Sequence, residues 1–171
     1  PCHLVIEILC QHGHDLSASI EVTLQALQNH NFEYYDQVEL LVPDSDDLAL
    51  ALRVMPYSSG PARCRTIFQT PLRWMCENQL PSGQIPVWLR RNDSPYQLSE
   101  LVVLYGANCA TVETNLLLGL IAYDFNSYQD IIESCARSWC ERWLAIGLAA
   151  SEHYTPLYSL WAGMELITQL E

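Results

Sequence analysis

The chain has 171 residues, half of them hydrophobic and only 16 % charged, and carries a net charge of −12. That length supports a single domain able to bury roughly two-thirds of its unfolded surface, and the composition excludes a disordered chain. All eight basic residues are arginines; without a basic stripe, nucleic acid and an anionic membrane surface are both excluded as direct partners.

The sequence opens at Pro1 with no methionine and no basic leader before a cleavage site. It reads as one interaction domain over residues 1–171, either trimmed or excised from a longer protein. The first segment, CHLVIEILCQHG, is ambiguous: its apolar run suits a buried strand, while Pro1 before it and Gly13 after it suit a helix. It also holds the densest polar cluster. If extended, Cys10, His12 and His14 point the same way and are weak candidates for a metal site. No C-x-x-C pair accompanies them, and a helix end with Asp15 or Ser17 capping the next helix explains them equally well. No cofactor is expected.

Helices are expected near 16–29 and 46–55, with the acidic run DSDD (44–47) favourable at a helix N-terminus. FEYYDQVELLV (32–42) can be read as a helix or a strand. Further helices are expected over 71–80, over 95–105 with Ser94 as N-cap and Pro95 at the first helical position, and over 111–123. The clearest is 127–150, where Ile131, Cys135, Trp139 and Trp143 recur every four residues. Thr155–Pro156 starts a last helix that sets Leu157, Leu160, Trp161, Met164 and Ile167 on one face, expected to be its core face. Tight-hairpin signals are absent. The fold expected is all-α: a helical bundle or short α-solenoid of about seven to eight helices, the alternative being α+β with an N-terminal strand pair.

Seven cysteines, an odd number set mostly within apolar periodic segments, fit reduced thiols better than a disulfide framework, which points to cytoplasm or nucleus. There is no G-x-S-x-G, no phosphate-binding glycine loop and no dinucleotide fingerprint. A small Cys/His or zinc-dependent enzyme built on Cys2–Asp15 therefore stays an alternative without a distinguishing motif. The absence of lysine removes every side-chain ubiquitin acceptor, which suits a protein that works beside ubiquitin ligases.

The stretch TPLRWMCENQLPSGQIPVWLRR (70–91) carries the remaining signals. Pro71, Leu72, Cys76 and Leu80 resemble the elongin-binding box of von Hippel–Lindau and SOCS-type ubiquitin-ligase receptors, with Ile85, Pro86 and Leu89 fitting the first half of the cullin box that follows it. The resemblance implies that Leu72, Cys76 and Leu80 dock on elongin C. The chain departs from it at Asp93, where an aliphatic residue is expected, and at PSG (81–83), which breaks the helix. Spacing alone makes Leu72, Cys76 and Leu80 one stripe of a core helix, with Leu72 and Cys76 facing inward. Trp88, Arg90 and Arg91, in a proline-flanked linker, are expected at the surface as partner-binding residues. The function expected is non-enzymatic: an intracellular scaffold or adaptor domain for protein partners. A ubiquitin-ligase receptor using the helix at 71–80 is the alternative.

Overall fold

The computed structural model describes residues 2–29, 43–90, 109–146 and 154–171. They form six α-helices: α1 (Cys2–Gln11), α2 (Ser17–Asn29), α3 (Ser45–Val54), α4 (Pro61–Asn78), α5 (Ala110–Ile146) and α6 (Pro156–Leu170), with a 3₁₀ turn at Met55–Tyr57 after α3. No strand occurs among the described residues; Asp44 and Trp88 form an isolated antiparallel bridge. The all-α class holds.

The ambiguous first segment is a helix, which removes one strand of the α+β alternative. Its end explains why. The His14 N–H reaches the Leu9 carbonyl (3.0 Å) and the Gly13 N–H the Cys10 carbonyl (2.9 Å), the paired bonds of a Schellman cap, with Gly13 at φ +86°. Asp15 then accepts from the Ser17 N–H at 3.1 Å and starts α2. The segment 32–42 and the helix expected over 95–105 lie outside the described residues.

Two further boundaries differ from expectation. The helices expected over 111–123 and 127–150 are one continuous α5, broken in its dihedrals only at Asp124 (φ −167°, ψ 81°). There the Asp124 carboxylate accepts from the Ser127 N–H (3.2 Å) and hydroxyl (2.9 Å), so it caps the second half without a loop. α4 begins at Pro61, ten residues before the expected start, and runs through Pro71. Its buried stripe of Cys64, Phe68, Leu72 and Met75 spans the proline, and that burial outweighs the one backbone hydrogen bond a helical proline removes.

The centre is built from α3 and the first half of α5. Residues 111–120 of α5 are buried without interruption, as are 48–54 of α3, which is the signature of helices surrounded on all sides. The alternating leucines and alanines of LALALRV leave α3 narrow, and Gly119 lets α5 close onto it. A Cβ on Gly119 would lie 2.7 Å from the Ala49 carbonyl oxygen and 3.1 Å from the Leu52 Cβ. Gly119→Val should therefore cost about 1–3 kcal/mol through overpacking, read as a lowered Tm in thermal denaturation; an unchanged Tm would mean that the two helices do not cross here.

Candidate protein-docking site

Thr155 caps α6 by accepting from the Tyr158 N–H at 3.3 Å, and Pro156 occupies the first helical position. The helix has two apolar faces, and the structure buries the one with small residues. Ser159, Ala162, Gly163 and Leu166 point inward. A Cβ built on Gly163 would lie 3.4–3.5 Å from the rings of Trp139 and Trp143, whose centroids are 4.6 Å apart. The larger stripe expected in the core is on the outside. Leu157, Leu160, Trp161, Met164 and Ile167 are 38–76 % exposed. The reversal has a steric cause: the paired indoles of α5 need a flat surface, and glycine and alanine provide it. Glu165 is the one charged residue within α6, and it is turned away into an ion pair, so the outer face carries no charge.

That ion pair fixes the rotation of α6. Arg53, buried at the end of α3, donates from Nε to Glu7 Oε2 (2.8 Å) and from Nη2 to both Glu7 Oε1 (3.0 Å) and Glu165 Oε2 (3.0 Å). Its guanidinium also lies 5.7 Å from the centroid of the Trp161 ring, which orders an aromatic side chain at the edge of the exposed stripe. Arg53 Nη1 is buried without a partner. Burial holds the Glu7 carboxyl above its usual range despite the arginine. Beside the cluster is a cavity of about 260 Å³ lined by Glu7, Gln11, Arg53, Tyr57, Glu165 and Gln169 among others; this lining holds no thiol and no histidine.

The first turn of α3 is tied in the same way. Asn115 donates to Asp46 (3.3 Å) and accepts from the Tyr158 hydroxyl (2.7 Å), while the Tyr154 hydroxyl also donates to Asp46. Tyr154 stacks on Tyr158, and Trp161 meets Tyr158 at a tilt, along the start of α6. Nearby, burial pushes Asp47 up to about 6 from its ordinary 3.8, the adjacent Asp46 charge adding to the effect. Burial likewise holds Asp44 well above the usual range.

The stretch 79–90 is a strap over the core, not a presented loop. Trp88 is 6 % exposed, packed with Val87 and Val112. The Ser45 N–H bonds the Val87 carbonyl and the Leu89 N–H the Pro43 carbonyl, both at 2.8 Å. Trp88 at the surface is therefore corrected: Ile85, Val87 and Leu89 are buried with it, and two backbone bonds press the strap onto the start of α3. Arg90 is exposed, its backbone held by the Asn78 side chain at 2.9 Å on both sides. Arg91 lies outside the described residues.

The stripe of the elongin-like box is also divided. Leu72 is in the core at 2 % exposure, but Cys76 is exposed, which corrects its inward placement, and Leu80 is exposed beyond the end of α4. The buried position on that turn is Met75, three residues after Leu72 and not four. The three residues thus present no common face. His12 and His14 are exposed in the turn after α1, and Cys10 is half-buried on α1. Among the described residues no group of three or more His, Cys, Asp and Glu side chains is arranged to hold a metal ion.

One buried cluster was not visible in the sequence. The Cys135 thiol donates to Glu113 Oε1 at 3.0 Å, and Glu113 is paired with Arg142. Burial, followed by the Glu113 charge, pushes the thiol well above its usual range. It stays protonated, the form that is not nucleophilic. Among the described residues no helix is long and apolar enough to cross a membrane. Comparison with protein-family models, with curated proteins and with solved structures gave no match to this chain.

Two outcomes test this placement. Leu72→Ala should cost about 2–5 kcal/mol, as cavity formation does in a packed core, whereas Cys76→Ser should leave Tm within the range of a surface change; equal losses from both would restore the inward stripe. For Asp47, the folded chain holds its proton to higher pH than the unfolded chain does. Its contribution is fully present below about 3.8 and is lost as pH rises through about 6. Asp47→Asn should therefore raise Tm at neutral pH and flatten the part of the Tm–pH curve between those values; a steeper fall in that window would show that the charged form is the stabilised one.

Proposed function

We infer that this chain is a non-enzymatic protein-interaction domain of the scaffold or adaptor kind, and that it receives its partner along the outer face of α6. The observation that carries this reading is the solvent-facing stripe of Leu157, Leu160, Trp161, Met164 and Ile167 without a charged side chain among them. At on the order of 150–200 Å² of accessible surface for each large apolar residue, their exposed parts amount to roughly 500 Å², at the upper end of what a monomer leaves bare. Tryptophan and methionine are enriched in the centres of protein interfaces, and the cation–π contact pre-orders Trp161, which lowers the entropic cost of docking.

The ubiquitin-ligase alternative would have to use Leu72 from within the core, so docking there would require α4 to leave the bundle. The exposed free thiols Cys76 and Cys140 suit a reducing compartment, and we place the protein in cytoplasm or nucleus on that ground.

Site-specific photo-crosslinking tests the reading. A crosslinker at Met164 or Leu157 should trap protein partners in cells, while one at Val22, which is 72 % exposed on α2, should trap few. Leu157→Glu and Met164→Glu should abolish the capture with little change in Tm. A strong loss of Tm in both would show that the stripe is covered within the folded chain and would end the proposal.

A further inference from the structure

We propose that the occupant of this face is a second copy of the chain, paired α6 against α6 in a two-fold dimer. The inference rests on the reading of α6 as a docking surface. Leu157, Leu160, Met164 and Ile167 follow one another at spacings of three, four and three, which are alternate a and d positions of a heptad seam. Trp161 flanks the seam at an e position. A seam of this kind is self-complementary: with the two-fold axis perpendicular to the helices, each residue meets its own stripe in reverse order.

Nothing on the face opposes such pairing. No charged side chain projects from it within Pro156–Leu170, so identical stripes meet there without like charges in contact; Glu171, the next a position, lies just past the helix end. Nor does it carry charges at the flanking positions that would select a different helix. Two copies would bury on the order of 1,000 Å², the lower bound of a specific interface. The dimer is accordingly concentration-dependent, with each protomer folded by itself. Each copy also carries a net charge of −12. That repulsion acts through solvent, beyond the uncharged seam, and is screened over about 8 Å at physiological ionic strength. Salt therefore tightens this dimer, whereas it would weaken the docking of a basic partner.

Sedimentation equilibrium of the whole chain over a range of concentrations, at low and moderate salt, decides the matter. The wild type should move from its 19.5 kDa mass towards twice that value, more readily at higher salt. Leu157→Glu and Met164→Glu should each weaken the dimer by about tenfold or more, and Val22→Glu should not. Amide exchange of the wild type gives a check that needs no variant: residues 156–170 should become more protected as concentration rises. A wild type that stays at its monomer mass throughout overturns the proposal, as does a dimer indifferent to both seam substitutions or one that salt dissolves. If the monomeric chain still captures another protein at Met164, the docking face stands and the self-pairing falls. If Met164 captures nothing in either form, both fall.

Discussion

Arg53 is the residue on which the arrangement turns. It sits at the end of the central helix, and its guanidinium is the meeting point of α1, through Glu7, and α6, through Glu165. Taking these charges out of water is costly, and a buried pair of this sort adds little net stability over an apolar replacement, although losing one partner costs about 3–5 kcal/mol. Its effect is on orientation. A helix such as α6, apolar on two sides, could pack either side inward if burial alone decided. With Glu165 directed at Arg53 and Gly163 at the tryptophan pair, one rotation satisfies both, and that rotation leaves the larger apolar residues outside.

The same principle holds at the start of α3. Asp44 caps the helix by accepting from the Asp46 N–H at 2.7 Å, while Asp46 collects Asn115 and Tyr154 from other segments. Both ends of this deeply buried helix are therefore fastened by polar groups, and its middle is fastened by the close approach at Gly119. Packing sets the core, and the polar ends set which elements surround it.

Much of this was legible locally. The Thr155–Pro156 start, the cap at Asp15 and the acidic start of α3 are signals that act within a few residues, and each appears where the sequence placed it. Periodicity also found the stripes of α5 and α6, but not that of α4, where the buried position after Leu72 is Met75 and not Cys76. It could not say which stripe of a two-faced helix is buried, because that depends on the shape of the neighbour, here the tryptophans of α5. The sequence did contain a hint, since Ser159, Ala162 and Gly163 form a small-residue face suited to close packing. Trp88 was misplaced for a related reason. Prolines and arginines around a tryptophan suggest a loop, but Val87, Trp88 and Leu89 are buried in succession, so the segment is covered on both sides, which alternation alone does not announce. Arg53–Glu165 and Cys135–Glu113 join residues far apart in sequence, so no local pattern announces them.

The backbone pairing of residues 43–45 with 87–89 also bears on how the chain reaches this state. It joins the beginning of α3 to the end of the strap, with the whole of α3 and α4 between them. Such a contact forms only after the entropy of closing the intervening loop has been overcome, and that loop shortens once α3 and α4 have formed as helices. The helices are local structures that form quickly, whereas the bridge at Asp44 and Trp88 is non-local and comes later. Trp88 is accordingly expected to pass from solvent to its packed environment late in folding, its fluorescence following the closing step and not the formation of the helices.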